Sequence, residues 1–253
     1  MLEAWPVIHD PVFYAVAVPA VLLIGLSKSG FAAGFGSLAT PVLALTVPAP
    51  QAAAIVLPLL MVMDLTGLQQ MWRDRDAALL RRLLPWGALG VIAGFALFGV
   101  LSAAVVAGLL GALTLGFLAQ RLFFVPRRDR PPAPHWVGQG YAAAAGSTSF
   151  VAHAGGPPMV AYLLPLRMDP RVVSGTMAVF FGFINLLKVV PYAALGMLDL
   201  RNLLTSVVLM PLAPLGVWAG VWLVRRVATT WFYRLAYVGM FLTGTKLLWD
   251  GLK

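Results

Sequence analysis

Apolar residues gather into runs along this chain, at about 11–26, 34–47, 51–71, 83–100, 102–124, 137–149, 157–166, 172–196, 203–224 and 231–249. Runs near 20 residues match the hydrocarbon thickness of a bilayer when helical, and they lack the period-two alternation of a barrel strand. Six of them are long enough to span. The other four are short and form two adjacent pairs around polar, glycine-rich centres at 25–37 and 146–158. Each pair predicts one broken span or a hairpin of half-helices. Irregular backbone at membrane depth persists only where protein or a watery cavity surrounds it.

An internal repeat groups these elements. The segment PWGALGVIAG (85–94) matches PLAPLGVWAG (211–220), aligning Pro85 with Pro211, Leu89 with Leu215, Gly90 with Gly216 and Gly94 with Gly220. Further back, Gly25 aligns with Gly146, Gly34 with Gly155 and Asp64 with Asn185, all at one offset of 121. Each half therefore reads as a broken pair followed by three long spans. The expected organisation is a first transmembrane repeat over 1–124, a cytoplasmic linker over 125–136 and a second repeat over 137–253. The linker, VPRRDRPPAPHW, is too rich in proline and charge for the bilayer.

Loop charge tests the topology. Arg73, Arg75, Arg81 and Arg82 share one loop, and Arg127, Arg128 and Arg130 lie in the linker. Arg167 and Arg171 follow the second broken pair, and Arg225, Arg226 and Arg234 precede the last span. If each broken pair enters and returns on one side, all these arginines face the same compartment, leaving Arg201 and Lys253 opposite. The positive-inside rule favours that arrangement over eight full spans with parallel repeats. A hairpin plus three spans is an odd number of crossings, so the halves are expected to be inverted repeats, an architecture common among secondary transporters. Both termini would then face the periplasm.

Composition narrows the class. The set AVILMFWYC makes up 60% of 253 residues and charged residues only 11%, which marks an all-α integral membrane protein. The N-terminus MLEAWPVIHD lacks the basic region of a removable signal peptide. No cysteine is present, so disulfides, thiolate metal sites and thiol catalysis are excluded. The formal net charge of +9 sits in short loops between apolar runs, which fits lipid headgroups and not nucleic acid. No nucleotide loop, metal motif or Gly-x-Ser-x-Gly elbow occurs, and no cofactor, metal or catalytic residue is expected.

The candidate chemistry lies in the two interruptions, GLSKSGFAAGFGS and GSTSFVAHAGGPP. The first offers Ser27, Lys28, Ser29, Gly30, Gly34 and Gly36; the second offers Ser147, Thr148, Ser149, His153, Gly155, Gly156 and Pro157. A restarting helix presents free N–H groups and a positive dipole end, and Pro157-Pro158 suits such a start. Glycines for close packing and hydroxyls bonded back to their own helix are the alternative explanation. Lys28 in an apolar stretch pairs, lines a cavity or snorkels, and beside hydroxyls and helix ends it points to a small anionic substrate. Lys188 and Asn185 share a face of one span. Asp64, Asn185's repeat partner, is either a lysine's partner or a protonatable carboxylate that couples transport. His153 can bond substrate, titrate, or serve structure. The glycines of 87–99 can pack between protomers as well as within one, so a homodimer stays open.

At these residues the chain resembles the TauE/SafE family, the sulfite exporter or toluene-sulfonate uptake permease group. GLSKSGFAAGFGSLATPVLAL, GSTSFVAHAGGPPMVAYLL and FFGFINLLKVVPYAALG carry the resemblance, which covers nearly the whole chain. It implies a multi-pass carrier of the bacterial inner membrane for sulfite or an organosulfonate. The second interruption departs from the first in lacking a lysine. A passive anion channel is the other transport mechanism compatible with the residues. An intramembrane serine hydrolase would have to use Ser149 and His153.

Overall fold

The computed structural model describes residues 6–28, 35–123, 134–224 and 229–253, and every regular element among them is helical. Helix α1 spans Pro11–Lys28. A short 3-10 turn, Phe35–Leu38, leads into α2, Ala39–Leu43. Helices α3 (Ala49–Met71), α4 (Ala77–Phe98) and α5 (Ala103–Phe123) complete the first half. The second half runs α6 (His135–Ala152), α7 (Gly156–Leu163), α8 (Pro170–Ala194), α9 (Leu200–Leu209), α10 (Leu212–Val224) and α11 (Thr229–Leu252). Helices α1, α3, α4, α5 and α8 are each long and apolar enough to cross a bilayer, and the bent pair α9–α10 would make a sixth span.

Scarce carboxylates define where helices begin. Asp10, Asp76, Asp169 and Asp199 accept the backbone N–H groups of Val12, Leu79, Arg171 and Asn202 at 2.7–2.9 Å. Each satisfies a donor that the first turn leaves open. Asp64 stands apart: it is the one buried carboxylate among the described residues.

Helix α7 doubles back along α6. A Cβ on Gly155 would meet the Ala145 carbonyl at 2.6 Å, and one on Gly138 would strike the Tyr162 ring at 2.2 Å. Tyr162 also stacks on Tyr141 with centroids 6.2 Å apart. The second broken pair is therefore a hairpin that returns to the end where α6 began. In the first pair, Gly36 lies against Ser27 and Ile24 of α1, 3.2 and 3.7 Å from a would-be Cβ.

Helices α3 and α8 run antiparallel. Gly175 packs on Met71, Asp74 and Arg75, Gly182 on Leu68, and Asn185 reaches Asp64. Arg73, Arg75, Arg81, Arg82, Arg167 and Arg171 consequently share one end of the bundle, where Arg82 also contacts His135. At the opposite end the Ile8 N–H donates to Thr205, and Gln51 donates to Asn202 at 3.0 Å. Helix α11 returns along α5, with Gly251 beside Gly108 and Ala104, which brings Lys253 to that same opposite end.

Long-range crossings are built on glycine. A Cβ on Gly25 would lie 2.6 Å from Gly216 backbone, one on Gly146 2.1 Å from the Gly87 carbonyl, and one on Gly90 2.0 Å from the Ala143 carbonyl. Small residues at such contacts let helix backbones approach in lipid. Gly146→Ala is expected to cost about 2 kcal/mol by overpacking, lowering the melting temperature by roughly 4–8 °C. Gly140→Ala, with nothing within 4 Å of the new methyl, should instead leave stability unchanged or raise it by up to ~1 kcal/mol. Thermal denaturation of the two purified variants checks the contrast; equal behaviour would refute the crossing.

Three expectations are corrected. The second break is only three residues, 153–155, because α6 continues to Ala152. Ser147, Thr148 and Ser149 therefore sit on a helix and not within a loop. The Thr148 hydroxyl caps the carbonyl four residues back, Ala144, at 2.8 Å, as membrane-helix hydroxyls can. The apolar run at 203–224 is also no single helix. It breaks by 40° between Leu209 and Leu212, where Pro211 supplies no N–H. His135 and Trp136, assigned to the linker, open α6.

Candidate functional site

Helices α1, α3, α6 and α8 bring their polar side chains to one buried cluster. Lys28, the last residue of α1, pairs with Asp64 Oδ1 in the middle of α3. The other carboxylate oxygen accepts from Asn185 Nδ2 of α8 at 2.5 Å. One turn further along α8, Lys188 is fully buried and donates to the Ser149 carbonyl at 3.0 Å, to Ser149 Oγ at 3.1 Å and to His153 Nδ1 at 2.7 Å. Lys28 and Asp64 both lie within electrostatic range of Lys188.

Histidine tautomer follows from these contacts. His153 Nε2 faces the Ala53 carbonyl at 3.0 Å and must donate to it. Nδ1 is then the lone pair that accepts from Lys188, and the ring is neutral. His153 also ends α6 in the left-handed conformation, with φ 52°. Both ring nitrogens and the Ser149 hydroxyl are engaged with Lys188 or Ala53 and not with each other. No nucleophile–base hydrogen bond joins Ser149 to His153 among the described bonds.

The remaining sequence candidates divide. Ser147 Oγ donates to the Gly90 carbonyl at 2.8 Å and so ties α6 to α4, away from the cluster. Thr148 closes the break, its hydroxyl reaching the Ala154 carbonyl at 3.1 Å and its own carbonyl accepting the Ala154 N–H. Gly155 is required by its close approach to Ala145 and Phe181, whereas Gly156 opens α7 with free space around it. Pro157 and Pro158 bring no N–H, so the first turn of α7 has only the Gly155 and Gly156 amides to offer an anion. Helix α2 is shorter still, at 5 residues. Ser27 is half-buried beside Gly36. Ser29, Gly30 and Gly34 lie outside the described residues, as do Arg127, Arg128, Arg130, Arg225 and Arg226.

Sequence reasoning passed over a second polar layer near the Arg201 end. Gln51 bonds Asn202, the Asn202 amide donates to the Met197 carbonyl, and Ser206 donates to the Ile55 carbonyl at 2.8 Å. The signal was present in α9, where Asn202, Thr205 and Ser206 fall at i, i+3 and i+4 on one face. A crevice lined by Ser37, Pro41, Thr114, Ala152, Ala154 and Met240 lies where the two interruptions approach. No group of three metal-ligating side chains occurs among the described residues.

The cluster gathers two lysine side chains around one carboxylate. The second lysine bonds only neutral partners, Ser149 and His153, and no carboxylate is bonded to it among the described residues. The family model described as Sulfite exporter TauE/SafE matches residues 17–247. No curated protein and no solved structure matches the chain.

Proposed function

Because the chain belongs to the sulfite exporter TauE/SafE family, we propose that it is a secondary carrier of a small anion, sulfite or an organosulfonate, working by alternating access in a bacterial inner membrane. The gathering of Lys28 and Lys188 around the single carboxylate of Asp64, at the break after α1, is the observation that carries this reading. A lysine at membrane depth is costly unless it is partnered, and an anion can be that partner. Lys28 is the contact residue in this reading. It ends a helix at the break, and its side chain is 27% exposed, so a substrate can reach it. Lys188, bonded to Ser149 and His153, acts by holding α6 to α8.

Two inverted repeats are the architecture that fits this reading best. Equivalent helices α3 and α8 run antiparallel, and Asp64 bonds its own repeat partner Asn185. The basic end, with Arg73, Arg75 and Arg82, is assigned to the cytoplasm by the positive-inside rule, which leaves both termini periplasmic. Asp64, bonded to Lys28 and to Asn185, is the coupling candidate: protonating it would release Lys28 to a substrate.

Thermal denaturation of the purified protein tests the reading. Sulfite at a hundredfold excess over its dissociation constant should add about 2.7 kcal/mol of stability, a rise of roughly 5–10 °C. Chloride at matched ionic strength should leave the transition in place. In proteoliposomes, labelled sulfite should show counterflow against unlabelled sulfite. Lack of stabilisation by any sulfur oxyanion or sulfonate refutes the substrate class, and rapid flux without counterflow identifies a channel.

A further inference from the structure

Asn185 Oδ1 is the one buried side-chain polar atom without a partner among the described residues. Its orientation is fixed by its neighbour. Asn185 Nδ2 donates to the Asp64 carboxylate at 2.5 Å, and turning the amide over would set two acceptors face to face. Oδ1 is therefore an acceptor held in place by a carboxylate, in a residue only 3% exposed.

Among the described residues, the Lys188 amine is committed elsewhere. An ammonium has three N–H groups, and those of Lys188 go to the Ser149 carbonyl, Ser149 Oγ and His153 Nδ1. Lys28 holds the Asp64 oxygen opposite the one bonded to Asn185. Lys28 and Asn185 thus sit side by side on one carboxylate, a cation next to an unsatisfied acceptor. Buried acceptors in folded proteins nearly always have a partner.

Charge points the same way. A divalent anion would set two negative charges beside the Asp64 carboxylate, a monovalent anion only one. Resting on the carrier reading above, we infer that the site takes a monovalent oxyanion that carries its own proton donor: hydrogensulfite, not divalent sulfite. Its oxyanion faces Lys28 and its O–H is donated to Asn185 Oδ1. A sulfonate bearing a hydroxyl beside its anionic group meets the same requirement.

Methanesulfinate isolates the donor, since it has the same charge and a methyl group where hydrogensulfite has the hydroxyl. Affinities of both ions for the purified full-length chain are measured by calorimetry at one mildly acidic pH. The wild type should bind hydrogensulfite about tenfold more tightly, the worth of one buried hydrogen bond. Asn185→Leu should remove the preference. Equal affinities in the wild type overturn the inference, as does a preference that survives in Asn185→Leu. The wild-type comparison decides even where the variant does not fold. Binding of neither ion, nor of any other sulfur oxyanion, overturns the carrier reading and this inference together, whereas equal binding overturns the inference alone.

Discussion

Lys28→Ala is expected to lower sulfite transport in proteoliposomes by at least ~100-fold. Unit charges about 4 Å apart at an effective dielectric of ~20 interact by about 4 kcal/mol. The Lys28 side chain is 27% exposed, so screening trims that figure and ~100-fold is the conservative consequence. The single variant also strands Asp64, which is 5% exposed, with only the Asn185 amide as partner. Stranding a buried charge costs several kcal/mol, so low transport alone could reflect poor folding. Lys28→Ala combined with Asp64→Asn separates the two effects. The double variant should regain most of the lost thermal stability, because it removes both members of the pair. It should not regain transport. Wild-type flux in the stable double variant would show that Lys28 has no part in holding substrate.

Lys188→Met is expected to give the largest loss of stability. The substitution keeps the volume of a fully buried side chain but removes all three donors. The Ser149 carbonyl, Ser149 Oγ and His153 Nδ1 would each lose a partner held at 2.7–3.1 Å. Orphaning buried polar groups costs about 1–3 kcal/mol each, and relaxation around the break recovers part of it. A net loss of about 4 kcal/mol corresponds to a fall of roughly 8–16 °C in melting temperature. The left-handed turn at His153 should suffer first, since the Lys188 and Ala53 contacts fix its ring. A melting temperature within about 2 °C of wild type would mean that these bonds do not hold α6 to α8.

Part of this cluster is legible in the sequence. The repeat offset paired Asp64 with Asn185, and the two are hydrogen-bonded. Lys28 and Lys188 drew notice because a lysine in an apolar run demands a partner. Which partner each takes was not legible, because it depends on how α1, α3, α6 and α8 cross. Those crossings are fixed by glycine contacts between helices far apart in sequence, such as Gly90 with Ala143. Hydroxyls were the weakest signal. Ser147, Thr148 and Ser149 look alike in a row, yet they face α4, the break and Lys188 respectively, because successive helical positions turn through about 100°. The split between α9 and α10 was missed because Pro211 sits in an unbroken apolar run, where a membrane helix can either absorb a proline or end.

The contact between Gly25 and Gly216 has a consequence for the order in which the protein can be made. Helix α1 is synthesised first, but its closest backbone partner, α10, is translated about 190 residues later, some 10–40 s at ordinary elongation rates. The ion pair need not wait so long. Asp64 emerges 36 residues after Lys28, so the charges can neutralise each other as soon as α3 enters the bilayer. The salt bridge would then guard an unfinished chain, holding a lysine-tipped helix in lipid until the second half arrives.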